Sequence, residues 1–94
     1  MSFEWDEKKN QINAEKHGIR FEYACELFRY PYLTFAYDRF EYGENREVGI
    51  GRIALDIKIA VVFTKRDENI RIISARMANA RKREIYDDYI KTTT

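Results

Sequence analysis

The 94-residue chain holds a single cysteine, a single histidine, a single proline and only four glycines. One thiol, Cys25, forbids an internal disulfide. Without a Cys/His cluster around it, a structural zinc site has no ligands to use. A reducing cytosol suits such a chain. Long hydrophobic runs are also missing: the longest, residues 59–63, is far shorter than the roughly 20 residues that span a bilayer. The opening Met1-Ser2-Phe3-Glu4-Trp5-Asp6 carries two acids and no apolar signal core. A cytoplasmic location with no membrane contact is therefore expected. The glycines are scattered, so neither a P-loop nor a dinucleotide-binding turn is present and no cofactor is expected. Gly49-Ile50-Gly51 reads as a strand segment with a bulge or a close approach of another element.

Hydrophobic residues make up 45% and charged residues 35%, a mixture that excludes disorder and fits one small domain over residues 1–94. The net charge of +1 hides an asymmetry. Residues 1–47 carry seven basic against ten acidic side chains, and residues 48–94 ten against six. From Asn69 to Arg83 there are five basic residues (Arg71, Arg76, Arg81, Lys82, Arg83) and no acid. Neutralising several phosphates with such groups gives most of the affinity for nucleic acid. Arginine suits the task because its planar fork donates to two phosphate oxygens at once. The competing reading of the same block is a solvated helix face.

The elements follow from periodicity. Asp6 is placed to cap a helix over residues 7–16, stopped by Gly18, with a poor apolar stripe of Ile12 and Ala14. Phe21, Ala24, Cys25 and Phe28 repeat as a buried helical face does, and Tyr30-Pro31 ends that helix. Residues 32–37, 47–54, 57–64 and 70–76 read as strands, with a polar connection over 38–44 and a charged turn over 65–69. Ile57, Ile59, Val61 and Phe63 point one way; Lys58, Ala60, Val62 and Thr64 point the other. The last two strands are apolar on both faces and so central. On a regular strand Arg71 and Arg76, an odd number apart, fall on opposite faces. Residues 78–90 read as a helix packing Ala78, Ile85, Tyr89 and Ile90 on the sheet. The expected fold is α+β: a four-stranded antiparallel sheet with two N-terminal helices and one C-terminal helix.

Few residues offer chemistry. His17, in a turn after Lys16, is the only side chain with an ordinary pKa near neutrality. A cap or surface role is the blander reading of its position. Lys9, Lys16 and His17 fall within two helical turns and could form a second positive spot. The aromatic run Phe28, Tyr30, Tyr32, Phe35, Tyr37, Phe40 and Tyr42 suits stacking on unpaired bases. It suits an interface with a partner protein better.

Several pieces together resemble the BrnT-type toxins, the DUF497 family of type II toxin–antitoxin systems. They are Phe3-Glu4-Trp5-Asp6 with Lys9 and Asn13, Lys16-His17-Gly18, Phe21-Glu22-Tyr23-Ala24, Glu44-Asn45-Arg46, Ile50-Gly51, and Val61-Val62-Phe63-Thr64 with Arg66. Ile70-Arg71-Ile72-Ile73-Ser74-Ala75-Arg76, Ala78 and Tyr86 complete the pattern. The resemblance covers nearly the whole chain, and Ile72-Ile73-Ser74-Ala75-Arg76 is its most specific segment. It implies a RelE-like fold, RNA cleavage that blocks translation, and a ribbon-helix-helix antitoxin whose complex with the toxin binds its own promoter. Promoter DNA would be met only through that complex. The expected assembly is a homodimer or a heterotetramer with antitoxin. Such family members often carry Glu at the position of Lys82, followed by Arg as at Arg83. Here that acid is missing, although Glu84 is near.

A metal-free ribonuclease needs a base for the 2′-OH, an acid for the leaving 5′-oxygen, and cations for the charged phosphorane. His17 or Glu44 is the candidate base, and Lys9 or His17 the acid. Arg46, Arg66 and Arg76 are the candidates for charge stabilisation, and Arg71, Arg81, Lys82 and Arg83 for holding RNA. The alternative is a non-catalytic interaction module that binds an antitoxin-like partner and assists promoter binding. Independent DNA binding is disfavoured, since no helix-turn-helix spacing appears.

Overall fold

Three N-terminal residues that no periodicity marks, Ser2–Glu4, form the first strand, β1. In the computed structural model, which describes residues 2–37, 45–54 and 56–93, the sheet is five-stranded and mixed. The expectation of four antiparallel strands is corrected here. The strands are β1, β2 (Leu33–Ala36), β3 (Arg46–Ala54), β4 (Ile57–Arg66) and β5 (Asn69–Met77), in spatial order β1-β5-β4-β3-β2. β1 runs parallel to β5, with Phe3 opposite Ile70, and every other pairing is antiparallel. A three-residue edge strand is too short for an alternating pattern, so only its pairing with a distant strand reveals it.

Among the described residues three helices and a 3-10 segment flank the sheet: α1 (Glu7–His17), α2 (Phe21–Ala24), the 3-10 turn Cys25–Arg29, and α3 (Ala80–Thr93). The second expected helix is thus a short α-turn that tightens before Pro31. Asp6 caps α1 by accepting from the N–H groups of Lys8 at 2.9 Å and Lys9 at 3.3 Å, and Gly18 ends it with a φ of 74°.

One face of the sheet carries the main core. Ile59, Val61, Phe63, Ile70, Ile72 and Ala75 pack there against Ile19, Phe21, Ala24 and Leu27. Burying each large side chain contributes about 1.5–3 kcal/mol. Phe28 joins this core at ring-centroid distances of 5.0 Å from Phe63 and 5.4 Å from Phe3. Gly49 and Gly51 face the same side. A Cβ on Gly51 would come within 3.0 Å of Tyr32 Cβ and 3.1 Å of Leu27 Cγ, which is the close approach expected of that segment.

The buried residues of α1 are not its few apolar ones. Ile12 is exposed, whereas Asn10 and Asn13 are buried. Asn10 accepts from Phe21 N at 2.7 Å and donates to Glu22 Oε1 at 2.7 Å. Asn13 accepts from Ala75 N at 3.1 Å, and its amide donates to Ala75 O at 2.8 Å and to Ile19 O at 2.9 Å. β1 ends opposite Arg71, so the edge of β5 beyond it has no strand partner from β1; Asn13 supplies the missing bonds.

On the other face α3 packs over β3, burying Ile50 and Tyr86. Tyr86 donates to Pro31 O at 3.3 Å, and Lys58 pairs with Asp87 at 2.8 Å. Of the expected stripe, Ala78 is buried and Ile85, Tyr89 and Ile90 are half-buried, while Tyr86, outside that stripe, is the buried anchor of α3. Among the described residues no helix is long and apolar enough to cross a membrane.

Candidate active site

The site is built by register. β5 holds one residue more than β4 between Ser74 opposite Val62 and Ile72 opposite Phe63, so Ile73 is bulged. Beyond the bulge the alternation is inverted. Arg71 lies opposite Thr64 and Arg76 opposite Ala60, and Thr64 and Ala60 share a face of β4. Arg71 and Arg76 therefore stand on one face, which corrects the expectation that they part.

That face is the one α3 packs on, and its cross-strand rows can be read off directly. Thr64 lies between Arg71 and Arg46; Val62 between Ser74 and Val48, with Phe35 beyond; Ala60 between Arg76 and Ile50, with Leu33 beyond. Arg66, opposite Asn69, has the same parity. Arg46, Arg66, Arg71 and Arg76 from three strands thus project from one face over a floor of small and β-branched side chains. Flanking rows sit about 5 Å per strand from their neighbours, so Arg46 and Arg71 originate about 10 Å apart across Thr64.

The partners differ. Arg71 Nη1 pairs with Glu4 Oε2 at 3.0 Å, both half-buried, an interaction that depends on the unforeseen β1. Thr64 is buried and its hydroxyl donates to Asn45 O at 2.8 Å, which fixes the start of β3 next to Arg46. Arg76 and Arg66 are exposed, and Arg46 is half-buried.

His17 belongs to the rim. It ends α1 one turn beyond Asn13, and Lys9 lies one turn before, so all three share a helical stripe. Asn13 is bonded to Ala75, so the stripe meets the edge of β5 there, with Lys9 and His17 each about 6 Å from Asn13 along the helix axis. Burial, then the charge of Arg76, then that of Lys16, hold the His17 pKa below its ordinary 6.5. Its imidazole is neutral at physiological pH.

Of the remaining candidates, Glu44 lies outside the described residues. Arg81 and Lys82 open α3 and line a groove against Phe35, Val48 and Ile50. Arg83 is exposed and is not part of that lining. Asn79 caps α3, accepting from Lys82 N at 2.9 Å. The sequence assigned no role to Glu4 or to the floor residues Thr64, Val62 and Ser74; their only signal was that all four fall inside the segments that resemble the family.

The comparisons with known proteins come down on one family. Residues 5–82 match the profile of the family described as ribonuclease toxin, BrnT, of type II toxin–antitoxin system. The chain belongs to the BrnT family. Among solved structures, the crystal structure of the Brucella abortus ribonuclease toxin BrnT matches with a TM-score of 0.67 and 33% sequence identity, covering 84% of this chain and 97% of that one. Nothing matches among curated protein sequences. A BrnT-family chain is a ribonuclease toxin with an antitoxin partner, and the α+β fold is that of the Brucella protein.

Proposed function

We propose that this BrnT-family chain is a cytoplasmic endoribonuclease toxin that cleaves RNA by metal-independent acid–base catalysis and so inhibits translation. A ribbon-helix-helix antitoxin neutralises it. The observation that carries the reading is the gathering of four arginines on one sheet face with a neutral His17 at its edge.

The chemistry follows from that gathering. A phosphodiester lying across Thr64 and Ser74 meets guanidinium groups from β3, β4 and β5. Neutral His17 accepts the 2′-OH proton as the 2′-oxygen attacks phosphorus. Arg76, Arg46 and Arg66 hold the charge that builds on the phosphorane oxygens. The P–O5′ bond breaks, and a proton from Lys9 goes to the leaving 5′-oxygen, giving a 2′,3′-cyclic phosphate and a 5′-hydroxyl. Glu44 is the alternative base. Arg71, held by Glu4, together with Arg81, Lys82 and Arg83, binds flanking phosphates.

The test is RNA cleavage by His17→Ala and Arg76→Ala in the presence of EDTA, with folding followed by circular dichroism. Loss of a general base costs about 10²–10⁴-fold. Full activity in both folded variants would remove this site. Expression of the chain alone should arrest growth and shorten cellular RNA, and co-expression with the antitoxin should reverse both. A folded chain that does neither is an interaction module.

A further inference from the structure

The arginine face continues into a groove that phosphate binding does not explain. Phe35, Val48, Ile50 and Ile85 form its apolar walls, and Asn79, Arg81 and Lys82 its polar rim, around a volume of about 290 Å³. Phe35 is a large hydrophobic left 46% exposed on the edge strand β2. It stands in the same cross-strand row as Val48, Val62 and Ser74, and so on the face that bears the arginines. Arg46 lies two residues from Val48 on β3, about 7 Å along the strand. Among the described residues no carboxylate lines the groove, and two cations border it. Asn79 Oδ1 is taken by the Lys82 N–H, which turns its amide nitrogen to donor duty.

We propose that this groove is a subsite for one unpaired nucleobase of the RNA, next to the nucleotide whose phosphate lies on the arginine face. The proposal rests on the ribonuclease reading. The base stacks on the Phe35 ring between Val48 and Ile85, and Arg81 and Lys82 take the phosphates beside it. Aromatic faces stack on any base, and the two cations of the rim stand where the phosphates on either side of a stacked base would pass. The volume lies at the small end of ligand sites, which suits one base and not a larger ligand. Phe35 therefore sets where on a single strand the scissile bond falls, and Asn79 reads a carbonyl or ring-nitrogen acceptor on the base edge.

The test compares Phe35→Ala, Phe35→Leu and Phe35→Trp. Binding is read by anisotropy of a labelled single-stranded oligoribonucleotide whose 2′-O-methyl groups block cleavage. Because it reads binding, it remains informative if none of the proteins cleaves. Alanine and leucine should weaken binding about 5- to 100-fold, and tryptophan should keep it. An oligonucleotide series with one abasic position moved along the strand should contain one position that weakens the wild type and leaves Phe35→Ala unchanged. In cleavage assays the loss should appear in KM more than in kcat, with the cut positions less sharply chosen. Equal binding by all four proteins would overturn the proposal. So would rescue by leucine, or a self-associating wild type whose dimer is lost in Phe35→Ala while RNA binding persists.

Discussion

Replacing Asn13 by alanine should be among the costliest single changes in this protein, and the magnitude can be worked from its bonds. The side chain is 6% exposed and serves three buried backbone groups: Ala75 N–H, Ala75 C=O and Ile19 C=O. Alanine can serve none of them. Leaving a buried polar group unsatisfied costs about 1–3 kcal/mol, so three left unserved cost about 3 kcal/mol or more. A domain of this size has about 5–10 kcal/mol in all. In a chain this short each kcal/mol moves Tm by about 4–8 °C, so a fall of more than about 10 °C is expected. Asn13→Asp keeps the acceptor for Ala75 N–H but loses both donors and buries a charge, so it should fare no better. Ile12→Ala, one residue away on an exposed position, is the control and should cost less than about 0.5 kcal/mol. Urea titration followed by circular dichroism measures all three. A loss below about 1 kcal/mol for Asn13→Ala would mean that it does not hold the β5 edge, and the placement of His17 beside Arg76 would lose its support.

Gly51→Ala should cost about 1–3 kcal/mol, since its Cβ would press on the Tyr32 Cβ and the Leu27 branch point. Gly49→Ala, whose nearest contact is the edge of the Phe63 ring at 3.2 Å, should cost less; equal urea midpoints would contradict this packing. His17 is held below 6.5 first by burial, so between its folded value and 6.5 the unfolded chain binds more protons. Stability should therefore rise with pH through that window, and His17→Gln should flatten the rise; parallel curves for the two proteins would exclude the shift. Cleavage should rise with pH and level off below 6.5, and Arg76→Lys should preserve that profile better than Arg76→Ala, as read from pH–rate curves. Burial, with Glu22 and Glu26 beside it, pushes the Cys25 thiol up to about 11. At pH 8 it should hold about 100-fold less thiolate than an ordinary cysteine, and iodoacetamide should label it correspondingly slowly; labelling at the rate of a free thiol would contradict its surroundings.

The alternation of β4 was legible in the chain because its two faces meet two different cores, and a period of two survives that arrangement. Asp6 and Gly18 marked the ends of α1 because capping is local chemistry. The interior of α1 was not legible. Its buried face is Asn10 and Asn13, and a polar side chain becomes a core residue only when a distant backbone, here Phe21 and Ala75, offers it bonds. Lys9 and His17 were recognisable as chemical types, but what brings their helical stripe to β5 is that same bond.

Composition and periodicity alone determined an α+β chain with a basic last third, a single neutral-range titrating side chain and no metal-ligand cluster around its lone thiol. Those properties belong to residue types and local spacing. Tertiary structure decided which arginines share a face. The strand alternation separates Arg71 from Arg76, and one extra residue at Ile73, visible only against β4, reunites them with Arg46 and Arg66. It also decided that Ser2–Glu4 is a strand and that Glu4 holds Arg71, because pairing between segments almost seventy residues apart leaves no trace in either segment.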